Sequence, residues 1–399
     1  MKNDSVKRLI IIDEEFEKME GHPYEYNKSV KEIFDRHGFE TVIFGRQNML
    51  PAFRDELHAR PWFTIDIKSK IRKIPVLGTI IYRIRFWKKF EKEIKDILAE
   101  VSKKEGDFFL FFPGVYWYNA LPISRALKNT NAPAALLYRL SIFDTVRLPK
   151  KVLALTLGII KQSVKILNGK KNIHYFSDSE VIAGEWFSQF KVPMKVLPIP
   201  HLTPNKKNAP LGETDKIRMY LPGGMRVEKG AQLLTEAFEI LAAKQPQILN
   251  RIILVTQFLG GNEILEGYKA RLAALPLENQ FLRQLSSEEY NRQLGMADVI
   301  LIPYQVSEGY RARTSGILAE AIASSKPFIT TDGTWMSIQA RKYNTGLIVK
   351  DKQPDELADA IRDMVSSYAA HNKKAIEANS IFMKNYSKEV YYQQLITAL

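Results

Sequence analysis

Short, unbroken apolar runs alternate with longer segments of helical period along this chain, and the alternation restarts half-way. An unbroken apolar run suits a strand covered on both faces. Strands that alternate with helices build parallel sheets rather than hairpins. In the first half, Arg8–Asp13 reads as a strand, Tyr26–His37 as a helix closed by Gly38, and residues 40–44 as a second strand. Strands follow at 107–112, 134–138, 173–176 and 194–197, with helices at 121–127 and 180–190. Residues 198–215 are rich in Pro, Asn and Lys and read as a connection. Beyond them, strands are expected at 217–221, 251–256, 298–302, 327–331 and 346–349, and helices at 230–243, 286–294, 316–324 and 353–366. The expected fold class is α/β. It has two Rossmann-like parallel-sheet domains with a ligand cleft between the carboxyl ends of two sets of strands. The boundaries read as 1–204, a linker at 205–215, a second domain at 216–380, and a terminal helix at 381–399 that packs on the second domain or crosses back to the first. A length of 399 residues suits two such domains.

Charge divides the chain in the same place. The net charge is +14, and residues 1–210 hold 36 basic and 23 acidic side chains against 22 and 21 in the remainder. No cysteine is present, which excludes a disulfide framework, a thiol nucleophile and a cysteine zinc site. The start has only a brief apolar run before its acids, so no signal peptide is expected, and no apolar stretch reaches the length of a membrane span.

In the second half three pieces suit a nucleoside diphosphate. Leu221-Pro-Gly-Gly-Met-Arg-Val-Glu-Lys-Gly230 follows a strand and opens a helix; Gly223 and Gly224 allow close backbone approach, and Arg226 and Lys229 add positive charge. Residues 307–321 follow the next central strand. There Thr314 or Ser315 caps a helix, and the amides at Ser315–Gly316 with Arg313 make an anion site. Glu320 stands one turn further in, where a carboxylate accepts two hydrogen bonds from a ribose diol. Lys326–Asp332 continues into a strand. Neither a Walker loop nor a dinucleotide fingerprint is present.

The order GG-R-EKG, LSSEEYNRQLGMADVILIPY, RTSGILAEAIASSKPFITTD and NTGLIVKDKQPDELADAI resembles the C-terminal domain of GT-B glycosyltransferases of the group 1, or family 4, type, over about residues 216–366. The resemblance implies a nucleotide-sugar donor on the second domain, an acceptor on the first, and transfer without an obligatory metal or other cofactor. Lys229 falls on the family's Lys-Gly position, beside the donor diphosphate. The family's arginine lies where this chain has Gly224, so Arg226 is offset from it. Glu320 matches the second, ribose-binding glutamate of a pair. Ala312 stands where the family carries the first, which contacts the donor sugar; Glu308 is its neighbour in sequence. Thr314, Ser315 and Gly316 fall where backbone amides meet the diphosphate. Gly21 and His22 fall in the loop that faces the diphosphate and acceptor, with His22 a phosphate donor or base. Tyr116, Tyr118 and Asn119 are candidate acceptor-side residues. Retention of configuration is inherited from the resemblance. It asks for electrostatic stabilisation of the leaving diphosphate more than for a strong base.

The first half adds a surface. Between 68 and 89 eight basic residues occur with no acid, among them Lys70, Arg72, Lys73, Arg83, Arg85, Lys88 and Lys89, interleaved with aliphatics and Trp87. Residues 145–177 repeat the pattern around Val152–Ile160. Such stretches suit an anionic membrane, and a solvated basic helix with a core-facing stripe is the plainer alternative. Nucleic acid is not favoured, since no nucleic-acid module is present. The expectation is a cytoplasmic glycosyltransferase, peripheral at the inner face of the membrane, that moves a sugar to a lipid-linked or glycan acceptor in surface polysaccharide synthesis. Its rivals are a catalytically silent glycosyltransferase-like subunit, a GT-B nucleotide-sugar epimerase or hydrolase, and a basic lipid- or nucleic-acid-binding protein that reuses the fold.

Overall fold

The computed structural model describes residues 7–17, 22–64, 76–143, 150–202, 215–260, 262–306 and 310–398. The chain divides into two compact units, residues 1–201 with 388–399, and residues 202–387. Most of the 205–215 linker lies outside the described residues.

The first unit holds β1 (Arg8–Ile12), β2 (Glu40–Arg46), β3 (Ala59–Phe63), β4 (Phe108–Val115), β5 (Ala134–Tyr138), β6 (Ile173–Ser177) and β7 (Lys195–Val196). They form one parallel sheet in the order β3-β2-β1-β4-β5-β6-β7. β1 is buried along its whole length, as its unbroken Leu-Ile-Ile-Ile run requires. The helices are α1 (His22–Arg36), α2 (Pro51–Leu57), α3 (Val76–Val101), α4 (Ala120–Leu127), α5 (Lys150–Leu167) and α6 (Glu180–Phe190). α6 starts at Ser179, whose side chain accepts from the Val181 amide. β3 breaks the sequence expectation because Pro61 argues against a strand. It is an edge strand, where a missing amide donor costs no ladder bond on the open side.

The second unit holds β8 (Ile217–Gly224), β9 (Ile252–Gln257), β10 (Glu278–Leu282), β11 (Val299–Ile302), β12 (Phe328–Thr331) and β13 (Leu347–Val349), parallel in the order β10-β9-β8-β11-β12-β13. Its helices are α7 (Ala231–Lys244), α8 (Pro246–Leu249), α9 (Glu263–Ala273), α10 (Ser287–Met296), α11 (Gly316–Ala323), α12 (Trp335–Lys342), α13 (Pro354–Ser366) and α14 (Tyr368–Asn385). On α7 the positions Leu234, Ala237, Phe238 and Leu241 form a buried stripe at helical spacing against β8 and β9.

The last helix, α15 (Lys388–Ile396), belongs to the first unit. Tyr391 and Leu395 are fully buried in that unit's core. The Tyr391 hydroxyl meets that of Tyr26 at 3.0 Å, Tyr392 stacks on His37 at 3.6 Å between centroids, and Lys388 pairs with Glu32 at 3.0 Å. Each fully buried large side chain is worth about 1.5–3 kcal/mol, so Tyr391 and Leu395 outweigh the surface pair in holding α15.

Candidate functional site

In the second unit the chain leaves β8 for one side of the sheet and returns at β11 on the other, and open α/β sheets hold ligands at the carboxyl ends of strands flanking such a switch. Two stretches meet there, residues 222–230 at the end of β8 and beyond it, and residues 303–306 with 310–315 after β11. The Gln305 amide donates to the Glu228 carbonyl at 3.0 Å. Gly230 has φ +85°, and a Cβ there would run into the Pro303 carbonyl. Only glycine lets the two loops lie this close.

Lys229 sits in that junction and is only 7% exposed. Its Nζ donates to the Pro222 carbonyl at a long 3.4 Å and lies 5.7 Å from the centre of the Tyr304 ring. It fills the space that a Cβ on Gly223 would need, 2.8 Å away. Burial, and then the charges of Arg226 and Arg313, pull its pKa from 10.5 down to about 8 against the opposing carboxylate of Glu228. A buried ammonium with one long hydrogen bond and two cationic neighbours is short of counter-charge, and an anion supplies it. Arg226 pairs with Glu228 at 3.2 Å on a largely exposed side chain, and Arg313 is exposed.

α11 opens the same end. Ser315 is its cap and accepts from the Leu318 amide at 3.2 Å, with Thr314 just outside. Helix geometry leaves the Gly316 and Ile317 amides without intrahelical acceptors. Half-buried Glu320 accepts a hydrogen bond from the Tyr290 hydroxyl at 2.6 Å. Tyr220 and Tyr304 complete the surround. Burial raises both their hydroxyl pKa values, and the Glu320 carboxylate adds to the rise. The buried Tyr304 hydroxyl has no hydrogen-bond partner among the described residues.

Gly223, Arg226, Lys229, Arg313, Thr314, Ser315, Gly316 and Glu320 thus come to one end of one sheet. Gly224, the last residue of β8, lies at the same end, and a Cβ there would come within 2.7 Å of the tip of the exposed Leu259 side chain. Ala312 is fully buried, so a methyl group in the interior occupies the position of the family's first glutamate. Glu308 and Gly21 lie outside the described residues, as do Lys70, Arg72 and Lys73. His22 is the first residue of α1 rather than part of a loop, in keeping with Pro23 behind it.

The first unit has its own switch between β1 and β4, and sequence reasoning passed over what gathers there. Asp13, Glu14 and Glu15 leave β1. Asn27 donates to Asp13 at 2.6 Å, Asn119 to Glu14 at 2.6 Å, and the Tyr118 hydroxyl to Glu15 at 2.6 Å. Burial raises Asp13 to about 6, only partly relieved by Asn27. Burial, with Glu15 and Asp13 beside it, raises Glu14 to about 8. Asn119 is fully buried and bonded on both amide atoms, its oxygen taking the Tyr116 amide at 2.6 Å. It braces the loop and does not line a surface. Tyr118 is nearly buried, and Tyr116 stacks on it at 5.4 Å with partial exposure.

The surface residues also sort differently from expectation. Phe86, Phe90, Ile94, Ile97 and Val101 are the buried stripe of α3. Trp87 donates its indole N–H to the Tyr118 carbonyl at 2.7 Å, and Arg83 lies 4.4 Å over the Trp117 ring, with burial lowering its pKa. Both turn toward the unit and leave the membrane-facing set. Arg85, Lys88 and Lys89 are exposed beside Ile84.

The family described as glycosyl transferases group 1 matches residues 204–398. The chain carries a group 1 glycosyltransferase domain. The whole chain has the GT-B fold. It superposes on sucrose-phosphate synthase from Thermosynechococcus elongatus with a TM-score of 0.68 and 14% identity, over 98% of this chain and 100% of that one. A glycosyltransferase from Rickettsia africae gives 0.67 and 15%, over 99% and 97%. Anabaena HepE, solved in complex with UDP, gives 0.63 and 14%, over 98% of each. No curated protein matches the sequence itself. Among the described residues of this glycosyltransferase, no helix is long and apolar enough to cross a membrane.

Proposed function

We propose that this glycosyltransferase takes its sugar from a nucleotide-sugar donor held by the second unit and passes it, with retention and without a metal, to a lipid-linked or glycan acceptor in surface polysaccharide synthesis. The observation that carries the donor assignment is Lys229, a buried ammonium short of counter-charge at a sheet switch point. A diphosphate there meets Lys229, Arg226, Arg313 and the amides that open α11. These are the groups that would stabilise negative charge on the leaving diphosphate. Glu320, one turn along, accepts from the ribose diol beside the bond it takes from Tyr290. The acceptor and the membrane rest on the basic first half and on exposed Arg85, Lys88 and Lys89.

Calorimetric titration with UDP, GDP, ADP and CDP tests the donor half: one binds, and Glu320→Ala and Lys229→Ala each weaken it. Unchanged binding in both variants removes the site. Incubation with the sugar nucleotide and lipid-linked acceptors tests transfer. Buried Ala312, in place of the first glutamate, favours a second reading, a silent subunit that binds nucleotide and transfers nothing.

A further inference from the structure

We propose that Tyr290 is the positioning residue for Glu320, and that recognition of the nucleotide's ribose hydroxyls depends on the hydrogen bond between them. This rests on the reading of Glu320 as the ribose acceptor.

The two side chains come from different elements. Tyr290 stands on α10, whose start is fixed by a capping box in which the Ser286 side chain accepts from the Glu289 amide and Glu289 accepts from the Ser286 amide. α10 packs on β8, and α11 carries Glu320. The 2.6 Å contact between them is the short, charge-assisted kind that a phenol gives to a carboxylate. Burial, and then the Glu320 charge, push the Tyr290 hydroxyl well above its ordinary pKa, so it remains a donor throughout the working range. A glutamate has three rotatable bonds, and a ligand that had to order them would lose affinity. A donor on a rigid helix removes that loss in advance and fixes which way the carboxylate faces. The benefit is confined to groups that bond Glu320. The ribose diol is such a group, and the diphosphate at Lys229 is not.

The test uses the full chain, the tightest-binding of UDP, GDP, ADP and CDP, and its 2′-deoxy counterpart. Wild type is expected to prefer the ribonucleotide by about tenfold, the worth of a hydrogen bond to a charged group. Tyr290→Phe should weaken the ribonucleotide severalfold, leave the deoxynucleotide unchanged and so shrink the preference. Glu320→Gln supplies the cycle: Tyr290→Phe should have no further effect on the preference in that background. Equal weakening of both nucleotides by Tyr290→Phe, or effects that multiply independently in the double variant, overturns the proposal and leaves Tyr290 as a brace. A wild type without ribose preference, or a preference that survives Glu320→Gln, instead overturns the assignment of Glu320. If Tyr290→Phe proves too unstable to titrate, Tyr290→Gln, which keeps a donor, must preserve more of the preference than Tyr290→Leu; equal loss in the two overturns the proposal.

Discussion

Nucleotide affinity should fall as pH rises through the value that the fold imposes on Lys229. The side chain is 7% exposed and its pKa is lowered from 10.5 to about 8. A bound diphosphate favours the ammonium form and restores a high pKa, so binding takes up a proton wherever free protein has lost one. The ammonium fraction falls from about 0.9 at pH 7 to about 0.1 at pH 9, so affinity falls about tenfold, or about 1.4 kcal/mol, across those two units. Proton uptake rises over the same range from about 0.1 to about 0.9 per nucleotide. The effect on folding has the opposite sign. A depressed lysine pKa leaves its stability contribution intact above 10.5 and loses it as pH drops through 8, so this group destabilises the free protein at neutral pH. The assay is calorimetric titration with UDP, or whichever nucleoside diphosphate binds, at several pH values in buffers of different ionisation enthalpy. Lys229→Met is the control: weaker by about tenfold or more at pH 7, and flat from pH 7 to 9. A flat wild-type profile, or the same slope in Lys229→Met, refutes the argument that Lys229 is the buried phosphate contact.

Gly230→Ala and Gly260→Ala separate backbone strain from collision, since both have φ near +80° but only Gly230 faces a carbonyl. Chemical denaturation should show about 1 kcal/mol lost at Gly260 and more than about 2 at Gly230, with nucleotide affinity reduced only at Gly230. Glu14→Gln should stabilise the chain by on the order of 2 kcal/mol above pH 8. The folded pKa is raised from 4.5 to about 8, so the penalty is absent below 4.5, grows as pH rises and is complete above 8. Scanning calorimetry should therefore show a flatter pH dependence of melting in the variant, and a variant less stable at every pH would contradict it. Cosedimentation with anionic vesicles should fade with salt and with Arg85→Glu, Lys88→Glu and Lys89→Glu together, while Trp87→Phe leaves it unchanged; equal binding to neutral vesicles would remove the electrostatic basis.

What could be read from the sequence follows from where each element sits. Central strands such as β1 and β8 are covered on both faces, so apart from Arg8 and Arg218 their cores are apolar runs that stand out. β3 and β10 are edges of their sheets; one carries Pro61 and the other reads Glu-Asn-Gln-Phe-Leu, and an edge tolerates both. The loops of the proposed donor site were legible because their chemistry is local: glycines, a lysine and a helix cap lie within a few residues of one another. Tyr290 was not, since it meets Glu320 across 30 residues, and nothing in LSSEEYNRQL marks that tyrosine from a core aromatic. Net charge could not say where in the first unit an anionic partner would sit, for the same reason. The basic excess there pointed to an anionic partner, yet the switch point between β1 and β4 carries Asp13, Glu14 and Glu15, while Arg85, Lys88 and Lys89 lie exposed on α3. A sum over residues cannot separate a surface from a crevice. If the acceptor is lipid-linked, its phosphate belongs with the exposed cations of α3, and the carboxylates at the switch point suit a hydroxyl-bearing portion instead, because an anion there would face acids that burial already holds partly protonated.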